Sequence, residues 1–152
     1  MMRRVANSDP SRLEAVNTLL SDHAKLIVFY NFNYELEALR TLAHKVPLAE
    51  WNGHKHQPIP DSREWLYVVQ YASGSEGWNC IETNATTFYS LTYSYKMFHQ
   101  AHGRVDRLNT PFVDLWYYYL KSLAPIDQAA WRALMGKKDF NERQFADTWK
   151  LS

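Results

Sequence analysis

Apolar runs of strand length alternate with segments of helical spacing along this chain, and this alternation narrows the choice of fold more than any other feature. Lys25–Tyr30 is a continuous apolar run bounded by polar residues, which is typical of a strand buried on both faces. Trp65–Gln70 is a second such run, and helical spacing covers residues 34–46 between them. Strands and helices that alternate form parallel sheets joined by crossover helices. The sequence therefore predicts an α/β fold, a three-layer α/β/α sandwich with a mostly parallel sheet.

The remaining elements repeat this pattern and define one domain. Predicted helices cover residues 11–23, 34–46, 95–107, 126–135 and 140–149, and predicted strands cover 25–30, 48–51, 65–70, 86–91 and 113–120. A loop is expected over Asn52–Arg63, which contains a glycine and two prolines. A chain of 152 residues can build one sizeable core. We predict a single domain over 1–152, with a core at about residues 8–135 and a C-terminal helical extension over 136–152.

The balance of charges excludes a domain that is basic overall. The net charge is +1 at pH 7, so any nucleic-acid contact must be a local patch or must use backbone groups. The one cysteine, Cys80, excludes an internal disulfide framework and is typical of a reducing compartment. No apolar run approaches the length that crosses a membrane. These features predict a cytoplasmic protein, in a cell or in an infected host cell, with no membrane partner.

The segment Gln100–Arg107, with the sequence QAHGRVDR, carries two arginines that are three residues apart. Three residues are about one helical turn, so Arg104 and Arg107 can point in the same direction on a helix. Such a pair can reach the phosphates of a nucleotide. The alternative is a solvated helix face, or a surface ion pair with Asp106.

A second segment, Gln70–Cys80, continues directly from the predicted strand Trp65–Gln70 and contains two glycines. In an open α/β sheet, ligands bind at loops that follow the carboxyl ends of strands. Glycines let the backbone approach a ligand closely, and free amides can face phosphate oxygens. The alternative is a tight turn that holds no ligand.

The histidines do not form a recognisable metal site. They occur in pairs at 54/56 and 99/102, whereas zinc sites need three or four ligands with defined spacing. Neither Cys-x-x-Cys nor His-Glu-x-x-His occurs, so we predict no metal site. Lys55 or His56 at the loop tip can instead contact a nucleic-acid phosphate, with solvated loop residues as the alternative.

Two aromatic features favour packing over ligand binding. Trp116–Tyr119 is an aromatic run in a predicted strand, where alternating side chains pack between helices. Stacking on nucleic-acid bases is the alternative. Trp78 lies within the glycine-containing segment, and we expect it to pack as well.

The order of these motifs resembles the second RecA-like domain of superfamily-two helicases and Swi/Snf-like DNA translocases. In that family a glycine-rich loop follows a strand. Another strand and a short loop lead to a helix with the pattern Gln-x-x-Gly-Arg-x-x-Arg. Here Gly77 and Gln100 are separated by one predicted strand and the start of a helix. This order of motifs supports a nucleotide-binding role for the two arginines more strongly than either motif does alone.

Further segments resemble other parts of the same domain. Residues 25–33 resemble its first strand and loop, and residues 51–53 resemble its short strand that ends in a glycine near the DNA backbone. Residues 115–120 with 125–128 resemble its closing strand and helix. The helix over 11–23 resembles the segment that leads into the domain. The resemblance covers most of residues 8–135.

The chain departs from the Swi/Snf pattern at several positions. Gly103 stands where those proteins usually have aspartate, and Asp106 stands where they usually have histidine. Residues 108–110 are Leu-Asn-Thr instead of Ile-Gly-Gln. These departures suggest a divergent, phage-type member and put chromatin-type functions in doubt.

The resemblance implies roles for individual residues. Arg104 and Arg107 would be catalytic arginine fingers, which stabilise charge on the transferring phosphoryl group of ATP. Residues on the nucleotide side of the cleft would be Glu76, Gly77, Gln100 and Gly103. Residues that face the nucleic-acid backbone would be Asn31, Phe32, Asn52, Gly53, Lys55, Ser73 and Gly74.

Half of the ATPase machinery is not found in this sequence. Hydrolysis needs a phosphate-binding loop with a lysine and a carboxylate pair for Mg²⁺ and water, and neither pattern occurs. The resemblance implies that the partner is an N-terminal RecA-like helicase lobe, and that this lobe makes most of the contacts to ATP and Mg²⁺. The chain would be inactive alone and would act within an ATP-hydrolysing helicase or translocase on DNA, or alternatively RNA. The alternative function is a non-enzymatic module that binds nucleic acid or protein.

Overall fold

The computed structural model describes residues 2–74 and 78–151, and describes side chains there except at residues 2, 4, 5 and 148–151. Within these residues five strands form one parallel sheet in the order β2-β3-β1-β4-β5. The strands are β1 (Lys25–Tyr30), β2 (Leu48–Trp51), β3 (Trp65–Gln70), β4 (Ala85–Phe88) and β5 (Trp116–Tyr119). The parallel sheet with flanking helices confirms the predicted α/β fold.

Seven α-helices accompany the strands in the described residues. They are α1 (Met2–Asn7), α2 (Pro10–Asp22), α3 (Asn33–Arg40), α4 (Tyr71–Gly74), α5 (Tyr95–Gly103), α6 (Pro125–Met135) and α7 (Glu142–Leu151). A 3₁₀-helix over Thr41–His44 follows α3. None of the described helices combines the length and the apolar character needed to cross a membrane.

The sheet is buried between two apolar layers because its central strands alternate their side chains between both faces. Leu26 and Val28 of β1 pack on one face with residues of α2 and α3, including Val16 and Leu39. Ile27 and Phe29 face the other side, and their cluster includes Ala101 of α5. Each such large side chain contributes about 1.5–3 kcal/mol when it leaves water.

A buried ion pair fixes two helices over the carboxyl edge of the sheet, and sequence analysis did not identify it. Arg12 of α2 pairs with Asp127 of α6 at 2.5 Å, and both residues are buried. Arg12 also donates to the carbonyl oxygens of Tyr89 (2.7 Å) and Leu120, which lie just beyond β4 and β5. The guanidinium therefore joins α2, α6 and two strand ends at one point.

The predicted helix over 95–107 is wrong beyond Gly103, where α5 ends. Two tertiary contacts account for the early end. The carbonyl oxygen of Arg104 accepts the backbone N–H of Cys80 at 3.0 Å, so it is not used to continue the helix. Val105 is turned into the core and is only 2% exposed. Arg107 therefore lies past the helix and not one turn along it.

The closing strand is shorter and more exposed than predicted. β5 begins at Trp116 instead of residue 113, and Val113 is exposed. β5 lies at the end of the strand order and pairs only with β4 among the described strands. Trp116 is 53% exposed and Tyr117 to Tyr119 are half-buried, so the expected core packing is only partial.

Candidate functional site

Most residues predicted to face nucleic acid lie along one edge of the sheet. The strands are parallel, so their carboxyl ends share an edge, and β2, β3 and β1 are adjacent there. Residues that follow these three strands are Asn52, Gly53 and Lys55, then Ser73 and Gly74, then Asn31 and Phe32. A cleft of about 340 Å³ opens at this edge, lined by residues that include Asn33, Arg40, Asn52, Gly53, His54 and Gln70.

Asn52 builds the turn after β2 and is not itself presented to a ligand. Its Oδ1 accepts the backbone N–H groups of His54 (2.9 Å) and Lys55 (3.0 Å). Its Nδ2 donates to the Glu50 carboxylate at 3.2 Å, and the residue is 4% exposed. The turn leaves Gly53 open, since an added Cβ would have no atom within 4 Å. Of the residues predicted to face nucleic acid in this turn, Gly53 and Lys55 are the exposed ones.

Arg40 lines the cleft but its charge is already paired. Its Nε and Nη2 donate to the two carboxylate oxygens of Glu50, each at 2.8 Å. This hydrogen bonding lowers the pKa of Glu50 and keeps the carboxylate ionised. A bidentate pair holds the planar guanidinium in place. Arg40 therefore contributes little net positive charge to the cleft.

The backbone after β1 is held from inside by Glu35. The Oε1 of this buried carboxyl group accepts the N–H groups of Asn31 (2.8 Å) and Phe32 (2.9 Å). Burial raises the pKa of Glu35. The side-chain amide of Asn31 donates to Ser90 (2.8 Å) and to the Leu91 carbonyl (3.2 Å). Of the predicted pair, Asn31 is half-buried and Phe32 is the more exposed, at 36%.

Ser73 and Gly74 lie in the short helix α4 and have structural partners. The Ser73 hydroxyl donates to Gln70 at 3.1 Å, and its carbonyl accepts the indole N–H of Trp51 at 3.1 Å. A Cβ at Gly74 would meet a methyl of Val69 at 3.0 Å, so a larger residue would fit only if Val69 moved by a few tenths of an ångström. The predicted nucleotide-side residues Glu76 and Gly77 lie outside the described residues. Trp78, which follows them, is buried against Phe29 and Tyr67 as expected.

The arginine segment adjoins the chain that follows Gly77. The 3.0 Å hydrogen bond from Cys80 N–H to the Arg104 carbonyl joins the two segments. Arg104 is half-buried, whereas Arg107 is exposed. Gln100 is half-buried on α5, and Gly103 is exposed, with open space where a Cβ would be added. The structure therefore brings Gln100, Gly103 and the two arginines to one region at the end of α5.

His102 lies inside this motif and anchors α5 to the sheet, a role that sequence analysis missed. Its Nδ1–H donates to the Phe98 carbonyl at 2.7 Å, so its Nε2 accepts the hydroxyl of Tyr119 at 2.6 Å. The ring stacks on Phe88 with 4.8 Å between centroids. Burial lowers the pKa of His102 and favours the neutral ring. The sequence does place His102 one helical turn after Phe98, and this spacing is the signal from which the contact between them could have been predicted.

The described residues contain no group of three or more His, Cys, Asp or Glu side chains arranged to hold a metal ion. His56 instead stacks on Trp51, with ring centroids 4.2 Å apart. His99, on the same helix as His102, is exposed and stacks on Tyr95.

Comparisons with known proteins give a likeness in structure but none in sequence. No family model matches the chain, and no curated protein matches it. Among solved structures, the chain is similar to the crystal structure of the C-terminal part of the Fun30 ATPase domain, with a TM-score of 0.73 and 13% sequence identity. The match covers 88% of this chain and 48% of that one, so the chain spans about half of that structure's length. At this identity the likeness shows the fold alone, which is a RecA-like α/β fold.

Proposed function

We propose that this chain is the carboxyl-terminal lobe of an ATP-dependent helicase or DNA translocase, a divergent member of the Swi/Snf-like group. One observation carries the proposal. Arg104 and Arg107 lie at the end of α5, joined through Cys80 to the segment after β3, on a fold shared with part of an ATPase domain. Two cations beside such a segment suit the phosphates of a nucleotide.

The proposed nucleotide side consists of Arg104 and Arg107 with Gln100 and Gly103, and the family resemblance adds Glu76 and Gly77, which lie outside the described residues. Arg107 is exposed and Gly103 is open, so a second lobe can approach this region without displacing side chains. The described residues offer no cluster for Mg²⁺, so the metal is assigned to the partner lobe, where it would neutralise phosphate charge. The arginines would stabilise the negative charge that develops on the transferring phosphoryl group.

The proposed nucleic-acid side is the carboxyl edge of β2, β3 and β1. Lys55 and Gly53 in the turn after β2, and the ring of Phe32 after β1, are its accessible groups. Contacts to phosphates and sugars position a strand without reading its sequence, which suits a motor that moves along DNA. Closure and opening of two lobes would convert hydrolysis into stepping.

The proposal is tested by reconstituting the ATPase from this chain and a lobe that carries a phosphate-binding loop, taken from the same genome. We expect no hydrolysis by the chain alone and DNA-stimulated hydrolysis by the pair. Arg107→Ala should reduce the rate by about three to five decades. Arg143→Ala, at an exposed arginine on α7, is the matched control and should retain the full rate. Full activity of the Arg107→Ala variant would contradict the arginine-finger assignment.

A second candidate, a non-enzymatic nucleic-acid- or protein-binding module, is favoured by one observation. α5 ends at Gly103, so the two arginines do not share a helical turn. This candidate predicts that nucleic-acid or protein binding is unchanged when both arginines are replaced by alanine. It also predicts that the pair of lobes has no DNA-stimulated ATPase activity.

A further inference from the structure

Four planar groups stack in a column across the carboxyl edge of the sheet. The rings of Tyr34 and Phe32 are stacked, with centroids 5.4 Å apart and 15° between their planes. The guanidinium carbon of Arg3 lies 4.5 Å from the Phe32 centroid and 3.7 Å from the Tyr93 centroid. The column joins α1, the start of α3 and the loop between β4 and α5.

Arg3 is held firmly within this column. Its Nη2 donates to the Leu91 carbonyl at 3.2 Å, and two aromatic rings lie against its guanidinium. A planar guanidinium stacks on aromatic rings while its N–H groups stay in one plane, which suits recognition of phosphate. An arginine fixed in this way loses little further freedom when a ligand binds.

The charge of Arg3 is not neutralised by an ion pair among the described side chains. The ion pairs found there join Arg12 to Asp127 and Arg40 to Glu50. Burial raises the pKa of the nearby Glu35 carboxyl group, and the charge of Arg3 acts in the opposite direction with a smaller effect.

The carboxyl edge needs a cation if it is to bind a nucleic-acid backbone. Sequence-independent binding comes mainly from Lys and Arg contacts to phosphates. Of the residues predicted to face nucleic acid, only Lys55 is charged, and the nearby Arg40 is paired with Glu50. Arg3 is placed beside Phe32 on this same edge.

We propose that Arg3 is a phosphate-binding residue, which contacts the backbone of a nucleic-acid strand as it crosses the carboxyl edge past Phe32. The inference rests on the proposed function and extends it with a residue that the family resemblance does not assign.

The test measures binding of the full chain to short labelled duplex and single-stranded DNA, by fluorescence anisotropy at several salt concentrations. For Arg3→Gln we expect weaker binding to both DNAs and a salt slope that is smaller by about one. Arg3→Lys keeps the charge and should keep the slope. Arg63→Gln is the matched control, because Arg63 is exposed and precedes β3 at the opposite edge of the sheet. Arg3→Met, which keeps an unbranched side chain against the rings, is a second neutral variant.

Each of the following outcomes would overturn the inference. Tighter binding by Arg3→Gln would mean that α1 blocks the edge. An unchanged slope with a lower melting temperature would mean that Arg3 only stabilises the fold. If the unaltered chain binds DNA and Arg3→Gln retains its slope, the inference fails and the proposed function stands. If the unaltered chain binds neither DNA, the nucleic-acid side of the proposed function fails as well.

Discussion

His102 shows how one side chain links the arginine motif to the stability of the fold. As a neutral ring it donates to the Phe98 carbonyl and accepts the Tyr119 hydroxyl. Burial keeps water away from a charged ring and so lowers the pKa of this histidine. Protonation would also turn the accepting nitrogen into a donor, so the Tyr119 hydroxyl would have to accept instead.

The pH dependence of stability follows from the sign of this shift. The pKa of His102 is lower in the folded state than the unfolded value of about 6.5, so the unfolded state binds more protons below that pH. We expect the free energy of unfolding to decrease as pH falls through about 6.5 and toward the lowered pKa. Denaturant unfolding at a series of pH values measures this decrease.

The histidine variants provide the control for that experiment. His102→Gln should flatten the dependence between about pH 8 and pH 5. His99→Gln, at the exposed histidine on the same helix, should retain most of it. Identical pH profiles for the unaltered chain and His102→Gln would contradict the role given to this ring.

At the scale of elements, the position of α2 and α6 depends on the buried pair of Arg12 and Asp127. The Asp127 carboxylate also accepts the backbone N–H (2.8 Å) and the hydroxyl (2.9 Å) of Ser122. Removal of one partner leaves an uncompensated buried charge, which costs more than the pair itself contributes.

Asp127→Ala should therefore lower the free energy of unfolding by about 3–5 kcal/mol. The double variant Arg12→Met with Asp127→Leu leaves no unpaired charge. Its loss in free energy of unfolding should therefore be smaller than the sum of the losses in the single variants Arg12→Met and Asp127→Leu. Asp114→Ala, at an exposed aspartate, should change stability by less than about 0.5 kcal/mol. Additive effects in this double-mutant cycle would show that the two side chains do not depend on each other.

The strands and helices also differ in how well their bounds can be predicted from the sequence. β1 and β3 lie at the predicted residues. Both are buried strands, and a continuous apolar run in the sequence indicates such a strand without knowledge of its neighbours. The start of α5 at Tyr95 was also predicted, and there the Ser94 hydroxyl accepts the Met97 N–H at 3.2 Å. The end of α5 was not, because it depends on a bond to Cys80 across the fold.

The candidate site was predicted less completely than the fold, for a related reason. The sequence indicated which residues follow the strands, and the structure places them along one edge. It did not indicate that Asn52 and Ser73 bind groups within the chain, since their partners depend on side-chain directions in three dimensions. Arg3 was missed because α1 was not predicted and its contacts with Phe32 and Tyr93 are distant in sequence.

For the whole molecule, the salt dependence of nucleic-acid binding reports how many phosphates are contacted by Lys and Arg side chains. If Lys55 and Arg3 are the cations that meet phosphates, the logarithm of the binding constant should fall with the logarithm of salt concentration with a slope of about −2. A slope steeper than about −5 would indicate a basic surface elsewhere on the molecule.

Lys55→Gln tests this expectation and should reduce the slope by about one. Lys45→Gln is its matched control, because Lys45 is exposed and lies before β2, at the opposite edge of the sheet. Equal slopes for the two variants would contradict the placement of the nucleic acid along the carboxyl edge. Anisotropy titrations with duplex DNA provide the measurement.

The hydrogen bond between Cys80 and Arg104 has a consequence for experiments on the isolated chain. The amide proton of Cys80 joins the segment after Gly77 to the carbonyl oxygen of Arg104. Its exchange with deuterium requires that bond to open, so the exchange rate reports how often the two segments separate. That rate can be measured before a partner lobe, a nucleotide or a nucleic acid is added, and any of them that holds the arginine segment in place should slow it.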